Sequence, residues 1–432
     1  MRLLSRSASG LVLFLLAGAA EAQFNQYTTP GGPEGHPVDR KAQLAKEVAD
    51  ARFRLGAVRL SPVFALTDVQ YVKNLAGTSG SGTSGTTPSD FTATASAGLR
   101  AYLPSGPALT WTASGLPEYV WWQRESARRR LNGRYRAGLF GFWNRLTLET
   151  LAGSDALQQI LSPEALRLTS ARTDHFETTA ELRLSRAIST FVAGTLERTR
   201  SLASRAADPQ AVELKDLDRD ERVVRAGLRW HAPGDWTIGA AAERSDVDFA
   251  RRGPGSLDRS NSGTAPVLEL QREHGHLFLQ ADVAQRSLAP KRGASFLHFN
   301  KTTGHATIAV TLARSAEIFV YGNRNLVYSL LAADSYLTDQ RQGAALHLKL
   351  GRFAQASLFG ESGTLDYTVI LPGTPHRKDD LTSFGGALSF TLFRGAALRL
   401  QGSRTRFTSN LPGASRSLTL LGTTVTFAGG QL

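Results

Sequence analysis

Residues 221–249 read ERVVRAGLRWHAPGDWTIGAAAERSDVDF. Val224, Ala226, Leu228 and Trp230 fall on one parity, and Arg225 and Arg229 on the other. After Pro233-Gly234 the alternation resumes, with Glu243 on the polar side. A period of two places successive side chains on opposite faces of a strand, so one face meets an oily medium and the other meets water. Pro-Gly is turn chemistry, and the stretch is therefore a β-hairpin.

The unit repeats along the chain. Alternating runs occur at 58–72, 91–103, 108–123, 131–143, 145–154, 175–185, 187–200, 221–231 and 235–249. They continue at 264–272, 275–287, 304–312, 316–329, 343–350, 353–369, 382–393, 396–407 and 417–427. That predicts eighteen strands, with sixteen to twenty as the range if one hairpin is merged or split. Short breaks such as Glu273-His274, Gly351-Arg352 and Arg394-Gly395 take turns with long polar ones, 73–90, 156–174, 201–220, 250–263 and 289–303. Regular alternation of short and long connections is an up-and-down meander with two unlike ends. At this length it predicts an all-β fold, one transmembrane antiparallel β-barrel with short periplasmic turns, long extracellular loops and both termini in the periplasm. A propeller would show a repeat of about 40 residues, which is not found. A sandwich would need division into smaller domains, and no linker occurs.

The predicted organisation is a signal peptide over 1–22, a periplasmic segment over 23–57 and the barrel over 58–432. Arg2 and Arg6 precede a short apolar run at 10–16, and Ala20-Glu21-Ala22 is a small-x-small cleavage site. The expected location is the outer membrane of a Gram-negative bacterium. Residues 39–52 (DRKAQLAKEVADAR) favour a helix with Leu44 and Val48 on one stripe. Plugging the lumen from below, contacting a periplasmic partner and serving as a leader are all open to it.

Composition fits a half-wet strand set. Hydrophobic residues make up 41% and charged residues 20%, a soluble protein's balance, and there is no cysteine for a disulfide or thiolate metal site. Net charge is +13, which suits anionic lipopolysaccharide around the barrel or an anionic solute. No nucleic-acid-reading motif occurs. The nine His are scattered without a metalloprotease, nucleophile-elbow or P-loop pattern, so neither enzyme activity nor a cofactor is expected. The Gly/Ser run at 77–85 reads as an exposed loop.

Parity also predicts the two faces of the wall. Leu277, Leu279, Ala281, Val283, Phe384, Leu388, Phe390 and Leu392 fall on the lipid side, and Trp143, Trp230 and Trp236 beside short turns suit an interfacial girdle. Trp111 and Trp121 share a face and stand about 25 Å apart along the membrane normal, and Pro117 between them predicts a bulge. The opposite parity is the candidate pore lining. It carries Arg59, Arg100, Arg134, Arg136, Arg183, Arg225, Arg229, Arg286, Lys349 and Arg399. With them stand Glu149, Glu177, Glu181, Glu197, Glu243, Glu269 and Asp282, interleaved with Phe140, Phe142, Phe191, Phe278, Phe319 and Tyr321. Isolated ions in a dry core cost several kcal/mol each, so the charges predict a wet channel. Aromatic faces among Arg and Glu suit sugar rings. Arg134 and Arg136, two apart on one face opposite a strand offering Glu149, predict an unmatched cation on the wall.

Leu60-Ser61-Pro62 through Asp68, Tyr71 and Asn74 resembles the first strand of β-barrel porin 2-like outer-membrane proteins. Asp246 to Phe249 and Leu365-Asp366-Tyr367 sit where such barrels place strand-end motifs, and the layout matches over 58–427. Family members commonly finish on the last strand's aromatic, whereas Phe427 here is followed by Ala-Gly-Gly-Gln-Leu. Barrels of this type resemble the eighteen-stranded outer-membrane components of Wzx/Wzy-dependent exopolysaccharide secretion. The resemblance implies a pore for polysaccharide working with a periplasmic polysaccharide-export protein. It supplies no catalytic, cofactor or metal residue. A diffusion porin for small solutes is the alternative, with an adhesin or an outer-membrane hydrolase behind it.

Overall fold

Alternation along the chain becomes a closed wall in the computed structural model, which describes residues 29–32, 39–73, 89–164, 168–202, 214–250, 258–331, 333–393 and 396–428. The predicted signal peptide and the Gly/Ser run lie outside the described residues. Helix α1 (Arg40–Asp50), capped by the Asp39 carboxylate accepting from the Ala42 amide, leads into the short strand β1 (Phe53–Leu55). The wall strands then follow: β2 (Val58–Lys73), β3 (Asp90–Ser105), β4 (Leu109–Trp122), β5 (Arg130–Phe142), β6 (Leu146–Gln159) and β7 (Thr169–Arg183). Next come β8 (Ile188–Ser201), β9 (Arg219–Ala232), β10 (Trp236–Phe249), β11 (Asn261–His274), β12 (Leu277–Pro290) and β13 (Phe299–Ala313). The last are β14 (Ala316–Tyr328), β15 (Asp334–Leu350), β16 (Ala354–Val369), β17 (Lys378–Phe393), β18 (Ala396–Ser409) and β19 (Arg416–Ala428).

Each wall strand pairs antiparallel with its chain neighbours, and β19 pairs with β2, so eighteen strands close an up-and-down barrel as predicted. The outward parity is apolar and bare: Val224 is 55% exposed, Leu228 55% and Trp230 51%. Trp111, Trp143, Phe384, Leu388 and Leu392 are likewise exposed. Water does not tolerate an apolar surface of this extent on a monomer, whereas lipid does.

Two local expectations change. Pro117 interrupts the bridges between β3 and β4 without shifting their register, because losing one N–H removes a ladder bond but adds no residue. Among the register shifts that do occur, one lies between Thr67 and Gln70 of β2, where Asp68 has φ +50°. Several strands also run further toward the long-connection end than the alternation indicates. β15 begins at Asp334 rather than near residue 343, and β7 at Thr169 rather than near 175. Residues 334–339 are buried on both parities, which erases the period-two signal there.

Candidate functional site: the inner wall and its closed mouth

The predicted lining residues fall on the inward parity of their strands, but the space they face is not one open channel. Toward the long-connection end it is filled. The tip of the β14–β15 hairpin packs one way through Leu326, Tyr328 and Tyr336 onto Val247, Phe249, Leu288 and Phe299 from β10, β12 and β13. It packs the other way through Val327 and Leu337 onto Leu365, Tyr367, Leu381, Phe407 and Leu418 from β16 to β19. Trp122 and Phe407 are 0% exposed, as no residue beside a water-filled bore would be. Ile160 from the β6–β7 connection joins one layer, and Leu214 and Leu217 from the β8–β9 connection join the other.

Two charged side chains from different loops hold the hairpin tip. Glu164 accepts from the Ser329 hydroxyl at 2.6 Å and the Leu330 amide at 2.5 Å. Arg259, fully buried, donates through Nε to the Ser335 carbonyl and through Nη2 to the Leu331 and Asp334 carbonyls. Its Nη1 has no hydrogen-bond partner among the described residues. Burial pulls the guanidinium down to about 10, opposed by the nearby Glu164 and Asp216 carboxylates. Arg416 ties the far side, donating to Asp379 at 2.7 Å and to the Pro163 carbonyl. Neither Glu164 nor Arg259 was a predicted site residue. Each acts through a contact between loops far apart in sequence, which strand periodicity cannot signal.

Below the mouth the inner charges are paired rather than simply solvated, which corrects the expectation of a channel wet throughout. Arg225 donates to Glu243 at 2.8 Å, to Asp282 at 2.8 Å and to Glu269 at 3.2 Å. Arg229 bridges Glu181 at 2.7 Å and Glu269 at 2.9 Å, with its guanidinium 4.0 Å from the Phe191 ring centroid. Arg286 reaches Glu243 at 2.7 Å. Phe278, Phe319 and Tyr321 form a buried cluster with Ala309 and Ala345, and the Tyr321 hydroxyl donates to Glu361 at 3.0 Å. These aromatics are occupied by the wall itself. Glu177 lies opposite Leu151 and Thr195, and Glu197 opposite His175 and Glu221.

The predicted unmatched cation is also absent at Arg134 and Arg136. The register sets Glu149 opposite Phe140, three strand positions or more from either arginine. Arg134 instead pairs with Glu118 at 2.6 Å and Arg136 with Asp155 at 2.7 Å. Changing both to Gln should therefore leave ion selectivity within the small range expected for screened, already compensated charges. A cation-ward shift in reversal potential across a salt gradient would contradict this.

At the short-turn end, helix α1 lies against the inner wall. Arg40 approaches Glu149 at 3.9 Å and stands 5.8 Å from the Phe140 ring centroid, and Leu44 is buried. The opposite sector, β15 to β19, keeps water-accessible inner residues: Lys349, Gln355, Ser389, Arg399, Gln401 and Thr424. Arg59 on β2 donates to the Gly56 carbonyl at 3.1 Å, and Arg100 on β3 and Arg183 on β7 also face inward near the short turns. Phe142 is half-buried there.

No protein-family model matches the chain, and no curated protein matches it by sequence. Solved structures do. Pseudomonas aeruginosa OccK2 (OpdF) in complex with glucuronate is similar at a TM-score of 0.51 and 11% identity, over 87% of this chain and 98% of that one. Acinetobacter baumannii OccAB3 is similar at 0.50 and 10%, over 85% and 98%. A bacterial polysaccharide outer membrane secretin is similar at 0.34 and 11%, over 85% and 97%, too low a score to carry an argument. At these identities the likeness establishes the fold, an outer-membrane-type β-barrel.

Proposed function

We propose that the protein is a gated channel of the Gram-negative outer membrane, with its short turns and both termini in the periplasm, that passes a hydrophilic saccharide when its mouth opens. The observation that carries this reading is the arrangement of one bore: accessible and polar at the turn end, sealed at the loop end by a hairpin tip held with non-covalent contacts. A general diffusion porin would be open at rest. A structural barrel would have no use for an accessible, unpaired cationic wall beneath a seal.

Export of an exopolysaccharide together with a periplasmic export protein is the finer reading. It is supported by the sequence resemblance and by the position of α1 at the short-turn entrance of the bore. Uptake of a small sugar acid is the second reading, favoured by the fold shared with OccK2, whose structure holds glucuronate. Deleting the gene separates them. Export predicts loss of surface polysaccharide with precursor retained inside, whereas uptake predicts normal surface carbohydrate and slower growth on sugar acids. The purified barrel should show rare openings in a planar bilayer, and a permanently open or permanently silent protein would overturn the gated reading.

A further inference from the structure

We infer that the lower inner wall of β15 to β18 is a binding site for an acidic saccharide, centred on Arg399 and Lys349. The site deepens the channel reading by naming its substrate class, and it rests on that reading for its place in transport. The register sets Lys349 opposite Gln355, Gln355 opposite Ser389, Ser389 opposite Arg399 and Arg399 opposite Thr424. One row therefore crosses five strands, with a cation, an amide, a hydroxyl, a cation and a hydroxyl all on the inward parity and all accessible. Neighbouring strands lie about 4.8 Å apart, so Lys349 and Arg399 stand roughly 14 Å from each other, enough to span two or three sugar units.

The two cations differ from the paired arginines of the inner wall. Arg225, Arg229, Arg286, Arg134 and Arg136 each meet a carboxylate. Arg399 and Lys349 have no ion-pair partner among the described residues, and the Arg399 Nε is buried without a hydrogen-bond partner. On β16 to β19 no inward Asp or Glu occurs below Glu361. On the neighbouring strand β14, the inward Glu317 lies opposite His347. A half-buried guanidinium left without an anion is costly, and a ligand carboxylate would satisfy it with a charge-assisted, bidentate bond. The neutral amide of Gln355 and hydroxyl of Ser389 between the cations match the hydroxyls of a sugar ring. Helix α1 docks on the other sector, at Phe140 and Glu149, and leaves this row uncovered.

The test is titration of the purified full-length protein with oligogalacturonate, with malto-oligosaccharide of equal length as the neutral comparison. Oligogalacturonate should bind, and affinity should fall as salt rises. Arg399→Gln with Lys349→Gln should weaken binding at least tenfold, Arg399→Lys should keep part of it, and the Arg134→Gln/Arg136→Gln protein should bind as the wild type does. Heat-modifiable migration on a gel confirms that each variant is folded. Equal binding of the neutral sugar, no binding by the wild type, or full binding by the folded double variant would overturn the site. Bilayer conductance is read separately, so a barrel that opens without preferring the acidic sugar defeats the site alone, and one that binds it but never opens defeats the channel.

Discussion

Glu164→Ala should convert a barrel that is closed most of the time into one that leaks. The carboxylate holds the hairpin tip through the Ser329 hydroxyl and the Leu330 amide, and it is an anion near the buried Arg259 guanidinium. Hydrogen bonds to a charged group contribute about 1.5–3 kcal/mol each, so losing two should cost the closed state about 3 kcal/mol or more. A shift of that size changes the closed-to-open ratio on the order of a hundredfold. Bilayer recordings should show open probability rising steeply, and cells carrying the variant should become sensitive to large hydrophilic antibiotics. Unchanged open probability in a folded variant would mean that the apolar layers alone keep the mouth shut.

Arg225→Met should produce the largest loss of stability. Its guanidinium touches Glu243, Glu269 and Asp282, and the Glu243 side chain is only 1% exposed. Removing one partner from a buried ion pair typically costs about 3–5 kcal/mol, because the remaining charge is left uncompensated. Arg286 and Arg229 still reach Glu243 and Glu269, so Asp282 loses most. The expected result is a lower urea midpoint for loss of the heat-modifiable band, partly restored by adding Asp282→Asn. An unchanged midpoint would show that water reaches this cluster freely and that the pairing contributes little.

What the sequence discloses and what it hides divide along the barrel's height. Near the short turns each strand has one lipid face and one wet face, so Val224 to Trp230 against Arg225 and Arg229 could be sorted by parity alone. Near the loops both faces of β14 and β15 are covered, and Leu326, Val327 and Tyr328 are buried in succession. Alternation has no meaning where there is no exposed face. Charge partners were hidden for a different reason. Parity fixes the side of the wall, but only the register fixes which carboxylate reaches which arginine. The Trp143-to-Arg145 turn sets Glu149 against Phe140, and Arg134 turns to Glu118 on its other neighbour. The cations at Lys349 and Arg399 were legible as lumenal. Their lack of partners was not, because it depends on the content of five adjacent strands.

The seam between β2 and β19 constrains how this molecule can be assembled. Val63 pairs with Ala428 and Lys73 with Thr419, so the first wall strand waits for the last one to be synthesised. Bringing such distant segments together is entropically slow, and the two strands have exposed edges until then. Helix α1 precedes β2 with only the short β1 between them, and it lies against the inner wall. An insertion machine that zips the seam shut must therefore have the helix already within the curving sheet, or leave the turn end wide enough for it to enter afterwards. Tethering α1 to a bulky folded domain should distinguish the two orders: the first stalls with an open seam, and the second yields a sealed barrel whose bore lacks its helix.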